Sequence, residues 1–213
     1  MNVEDIADLV QVADGLSRIL AKLNSASSLD EMRGLEGEAA RTYFGAFNHC
    51  ITTGKEDFFF HERSRRPPLD NMNALLSFLY TLLTHEVVAA LETVGLDPQM
   101  GFLHTDRPGR PSLALDLLEE LRAPLADRLA LSLVNLKQVK GSGFTQKESG
   151  GVLMDDATRK EVLTAWQKRK TDVVLHPYLK ERVPYGLIPH VQAMLLARHM
   201  RGDLDAYPPY FWN

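Results

Sequence analysis

NMNALLSFLYTLLTHEVVAALET, Asn71–Thr93, decides the fold class. Leu75, Leu76, Leu79, Leu82, Leu83, Val87 and Leu91 recur at three- and four-residue steps, the signature of one long helix with an apolar side. Gly95, just beyond the last apolar position, is a fitting helix stop. Working outward, the same period appears on both sides. Upstream, Ile6, Leu9, Val10, Leu16, Ile19, Leu20 and Leu23 predict a helix over 3–23. Asn24–Ser28 breaks it, and Ser28 with Glu31 has the spacing of a capping box, so a second helix is expected over about 29–48. Downstream, Ser112 can cap a helix over 112–123, and Pro124 is expected to open another over 125–138. Further helices are expected over 155–170 and 187–201, followed by an aromatic tail ending YPPYFWN. Four glycines in Val139–Gly151 mark a flexible loop or hairpin near 139–151. The expectation is an all-α, single helical domain over 1–213.

Composition sets the outer bounds. The 213 residues can bury a sizeable core. A net charge of −4 offers no global attraction to nucleic acid, although local basic patches remain possible. The one cysteine, Cys50, excludes an intramolecular disulfide and fits a reducing compartment. No apolar run reaches the length of a membrane span. The N-terminus carries Glu4, Asp5 and Asp8 rather than a basic leader, so a cytoplasmic location is expected.

Three separated pieces carry the chemistry. In GLEGEAARTYF, Gly34–Phe44, Glu36 is in line with Ala40, Tyr43 and Phe47, which predicts a core-facing carboxylate. Such a group needs a partner, because burying a lone charge is expensive. Glu38 lies off that line, with Arg41 three residues on. In SLALDLLEELR, Ser112–Arg122, Asp116, Glu119 and Glu120 share one helical surface, a mutual repulsion of a few tenths of a kcal/mol that a bound cation would reverse. His104 ends the loop GFLH, Gly101–His104, and suits manganese, magnesium or zinc in the company of carboxylates. For each piece alone the plainer alternative stands: a salt bridge to an arginine for Glu36, a solvent-facing strip with Arg122 and Arg128 for the acids, a hydrogen-bonded surface residue for His104.

Other motifs fail. His85-Glu86 lacks the second histidine of HExxH, the fifth position being Ala89. There is no phosphate-binding GxxxxGK[ST] and no GxGxxG. Basic residues group as Arg63, Arg65 and Arg66; Arg107 and Arg110; Lys137, Lys140 and Lys147; and Lys168, Arg169 and Lys170. They read either as solubilising charge or as a phosphate track towards the acidic centre.

The ordered pieces GLEGEAARTYF, RPPLDNMNALLSFLYTLL (Arg66–Leu83), GFLH, LALDLLEELRAPLADRL (Leu113–Leu129) and IPHVQAMLLARHMRGD (Ile188–Asp203) resemble the catalytic helical domain of the CRISPR-associated spacer-acquisition endonuclease/integrase family, Cas1. The likeness covers nearly the whole chain. It implies a divalent-metal-dependent DNA endonuclease and integrase that inserts spacers into a CRISPR array in antiviral defence. It implies Mg2+ or Mn2+ as cofactor, a homodimer, and a small partner, Cas2. By motif, Glu36, His104 and Glu119 become the catalytic metal ligands. Asp116 supports the metal or the DNA, and Asn73 and Tyr80 support the site and contact DNA. Arg63, Arg65, Arg66, Arg107, Arg110, Lys137 and Lys140 become DNA-binding candidates. Members of that family carry a β-rich domain before the helical one. Here Met1 falls almost at the start of the helical part, so the chain is expected to be a fragment or split product, and activity on its own does not follow from the likeness. The alternative is a non-catalytic helical DNA-binding or assembly module.

Overall fold

The computed structural model describes residues 3–105 and 107–212. Its α-helices are α1 (Val3–Leu23), α2 (Leu29–Gly45), the short α3 (Lys55–Phe58), α4 (Asn71–Thr93), α5 (Ser112–Leu121), α6 (Arg128–Asn135), α7 (Asp156–Lys170) and α8 (Ile188–Met200). Two antiparallel hairpins complete the pattern. β1 (Phe144–Gln146) pairs with β2 (Val152–Met154), and β3 (Val173–Leu175) with β4 (Arg182–Pro184). The architecture is mostly α, as the periodicity predicts. The chain divides into two units, Met1–Leu75 with Leu131–Thr158, and Leu76–Ala130 with Arg159–Asn213.

In the first unit, Ser28 caps α2 by accepting the Glu31 N–H at 3.2 Å, and the Glu31 carboxylate returns to the Ser27 N–H at 2.8 Å. The core is aromatic: Phe44 stacks on Phe60 at 5.5 Å, Phe47 approaches Phe60 at 5.2 Å, and Phe58 meets Phe144 edge-on at 5.4 Å. Asn48 fixes Phe60 through both backbone groups, and Asn135 bonds the Cys50 carbonyl and the Thr52 N–H. These amides satisfy loop backbone that would otherwise be costly to bury. The glycine-rich segment is a hairpin, with Phe144 opposite Met154. Its glycines permit close approach: a Cβ on Gly143 would lie 1.9 Å from Thr158 Oγ1. Helix α4 is capped by Asp70, which accepts the Asn73 N–H at 2.7 Å.

In the second unit the core comprises Leu79, Leu83, Val87 and Leu91 of α4, Leu113, Leu117 and Leu121 of α5, Trp166 of α7, and Ile188 and Leu195 of α8. By length and composition α4 is apolar enough to cross a membrane, with mean hydropathy 1.6, against the expectation that no segment would be. Leu75, Leu76, Leu79, Leu83 and Leu91 are instead buried in protein, as in a core helix.

The boundary near Pro124 differs from expectation. Pro124 opens no new helix but lies inside a π-helical segment, Arg122–Asp127, that joins α5 to α6. A proline in an α-helix lacks a donor and clashes with the carbonyl four residues back, and the wider π turn relieves both. Helix α6 stops at Asn135, before Lys137 takes a left-handed φ of 55°.

Candidate metal centre

Asp116 is the organiser of the GFLH loop. Its Oδ2 accepts the backbone N–H groups of Phe102 at 2.6 Å and Leu103 at 3.1 Å, and its Oδ1 accepts that of His104 at 3.0 Å. The same Oδ1 lies 2.7 Å from His104 Nδ1. An ionised carboxylate only accepts, so Nδ1 carries the hydrogen, and the neutral ring then has its lone pair on Nε2. A carboxylate behind a histidine in this way is the usual support of a metal-binding imidazole, fixing both tautomer and ring direction. Gly101 allows the loop to close on α5, since a Cβ there would lie 2.7 Å from Ser112 Cβ and 2.9 Å from the His104 carbonyl. His104 and Asp116 are mostly buried, with 17% and 14% of their side chains exposed.

Glu119 stands one helical turn after Asp116 on α5. Its side chain is one-third exposed, and its Oε1 accepts from Arg122 Nη1 at 2.9 Å. Glu120, the next residue, points away and does different work. Its Oε1 accepts the Tyr207 hydroxyl at 2.7 Å; its Oε2 accepts Gln192 Nε2 and the Tyr210 N–H, each at 2.8 Å. Burial raises its carboxyl above the ordinary range, outweighing those donors. Gln192 Oε1 in turn lies 2.9 Å from Nε2 of the buried His176. Glu120 therefore fastens the C-terminal aromatic tail to α5, and the three acids of the strip have separate sets of partners. Sequence reasoning missed this network; the tail's tyrosines beside two prolines were its only signal.

Glu36 sits on α2 and is exposed, against the expected core-facing phase. The supposed line through Phe47 fails because α2 ends at Gly45 and Phe47 belongs to a following 3₁₀ turn. Glu38 is the less exposed of the two, and its ion pair is with Lys22 at 3.6 Å rather than with Arg41. Asn73 is wholly buried. It donates to the Glu62 carbonyl and Asp70 and accepts from the Ser64 N–H and Arg63, so it braces a loop and is not available to DNA. Tyr80 donates its hydroxyl to the buried Asp127, and the Arg122 guanidinium lies 5.6 Å from its ring centre.

The basic groups divide likewise. Arg63 is held by Asn73 and the Ser64 carbonyl. Arg65, Arg66, Arg107, Lys137 and Lys140 are exposed, and Arg110 is half-buried. In the fourth group, Arg169 binds Asp172 at 2.8 Å and covers Tyr185, while Lys170 binds Glu86, so only Lys168 remains a plain surface charge.

A carboxylate-braced histidine beside a solvent-accessible glutamate is a donor set suited to a divalent metal ion. The family described as CRISPR associated protein Cas1 matches residues 2–168. The chain is 58% identical over 211 residues to a Rhodospirillum rubrum protein named CRISPR-associated endonuclease Cas1 2, covering 97% of this chain and 61% of that one. It is 45% identical to a Leptospira interrogans protein named CRISPR-associated endonuclease Cas1, covering 100% and 83%. The chain thus spans about three-fifths of the first relative's length. Among solved structures, a Cas1 protein from Thermotoga maritima aligns with TM-score 0.79 and 28% identity over 93% of this chain and 62% of that one. A chain of a Cas6-RT-Cas1–Cas2 complex aligns with TM-score 0.83 and 26% identity over 99% and 22%.

Proposed function

Because the chain belongs to the CRISPR-associated Cas1 family, we propose that it is the catalytic helical part of a divalent-metal-dependent DNA endonuclease and integrase that inserts spacer DNA into a CRISPR array. One observation carries the reading: within the second unit, ligand atoms of His104 and Glu119 lie within 4.8 Å of each other, with Asp116 bracing the histidine from Nδ1, and the motif adds Glu36. The names of the relatives, endonucleases of the same family, support the reaction class.

In this proposal Glu36, His104 Nε2 and Glu119 hold Mg2+ or Mn2+. Bound there, the ion supplies charge stabilisation at a phosphate and favours ionisation of an attacking hydroxyl or water. The chain's own residues do the positioning. Asp116 keeps the His104 proton on Nδ1, and four donors converging on one carboxylate hold the GFLH loop in register. Exposed Arg65, Arg66, Arg107, Lys137 and Lys140, with the half-buried Arg110, contact the DNA backbone, which demands positive charge and little sequence specificity. Assembly as a homodimer with Cas2 belongs to the same reading, supported by the Cas1–Cas2 complex among the structural neighbours.

The test is strand transfer on branched DNA with Mn2+, with and without added Cas2. Glu36→Ala, His104→Ala and Glu119→Ala are each expected to abolish joining while keeping native helicity. Wild-type joining by all three variants contradicts the assignment.

A further inference from the structure

Glu119 is the most exposed member of a chain of contacts that runs back into buried protein. Arg122 Nη1 donates to Glu119 Oε1 at 2.9 Å. The Arg122 guanidinium lies 5.6 Å from the centre of the Tyr80 ring, within cation–π range. The Tyr80 hydroxyl donates to Asp127, which is 1% exposed. Arg122 and Asp127 are the first and last residues of the π segment. The widened turn therefore carries both ends of the relay on one short stretch, and such π insertions are frequent at functional sites.

We propose that Asp127, Tyr80 and Arg122 are positioning residues that hold Glu119 in one rotamer for the metal. This rests on the metal-centre reading above and deepens it. A glutamate at a third exposure pays rotamer entropy when it binds an ion. A guanidinium fixed from behind removes that freedom in advance. A planar fork suits the task better than an ammonium, because it can lie against the ring and still point one N–H at the carboxylate.

Electrostatics alone makes the opposite forecast for Arg122. Removing a positive charge beside a cation site should tighten ion binding. Positioning predicts that it weakens. Tyr80→Phe is cleaner still, since it changes no charge and no ligand but cuts the tie to Asp127.

The experiment is a Mn2+ titration of the whole chain, followed by the electron paramagnetic resonance signal of the free ion, with circular dichroism reporting the fold. The expected result is a Kd raised roughly tenfold in Tyr80→Phe and Arg122→Gln, a smaller rise in Arg122→Lys, and loss of binding in Glu119→Gln. Should Tyr80→Phe fail to fold, Arg122→Gln, only partly buried, decides the matter. Unchanged or tighter binding in Arg122→Gln, with Glu119→Gln still losing the ion, overturns the relay and leaves the metal centre standing. Undiminished binding by Glu119→Gln overturns both.

Discussion

The carboxylate of Asp116 lies 2.7 Å from Nδ1 of His104 and receives three successive backbone N–H groups of the loop that carries it. One side chain thus sets the loop's conformation, the histidine tautomer and the ring direction together. Asp116→Asn keeps the shape but places an amide N–H towards donors. We expect a stability loss of about 1–3 kcal/mol and roughly 10–100-fold weaker Mn2+ binding. Urea unfolding and Mn2+ titration read the two effects separately.

Glu36 and Glu38 should separate cleanly. Glu38 forms an exposed pair with Lys22 at 3.6 Å, and its removal should cost at most about 1 kcal/mol. Glu38→Ala is therefore expected to join DNA at the wild-type rate, whereas Glu36→Ala is expected to lose joining with little change in unfolding midpoint. A strand-transfer assay run beside thermal unfolding checks both.

Glu120 gives a pH signature. Its carboxyl is raised above 4.5 by burial, so the native state holds this proton more tightly than the unfolded chain. Where the native state binds more protons, stability falls as pH rises. Its contribution should therefore fall from about pH 4.5 upward through the raised native value, and the stability gap between wild type and Glu120→Gln should narrow over that window. Denaturant unfolding of both proteins at several pH values measures the gap. A gap that widens contradicts the burial account.

Asn73→Ala should destabilise rather than weaken DNA contact. The wholly buried amide satisfies the Glu62 carbonyl, the Ser64 N–H and Arg63. Leaving such groups unpaired costs about 1–3 kcal/mol each. The variant should unfold at lower urea, while DNA affinity measured well below its midpoint stays unchanged.

The helices were legible because Leu75, Leu79, Leu83, Val87 and Leu91 repeat with the helical period, and burial follows that period directly. Pro124 misled, since a local rule about proline says nothing of a π turn that accommodates it. Glu36 misled for a similar reason: a phase line is meaningful only while one helix lasts, and α2 ends before Phe47. His104 and Glu119 are proposed as ligands by motif alone. The role of Asp116 as loop clamp, the division between Glu119 and Glu120, and the Tyr80–Asp127 tie depend on contacts between residues 12 to 90 positions apart. No local pattern encodes those.

The central claim is that Glu36, His104 and Glu119 share one divalent ion. Anomalous diffraction from crystals of the chain soaked in Mn2+ tests it most directly. The account predicts a single strong manganese peak at roughly 2.0–2.6 Å from a carboxylate oxygen of Glu36, Nε2 of His104 and a carboxylate oxygen of Glu119, lost in Glu119→Ala. Manganese bound elsewhere, or no peak at these three residues, would contradict it.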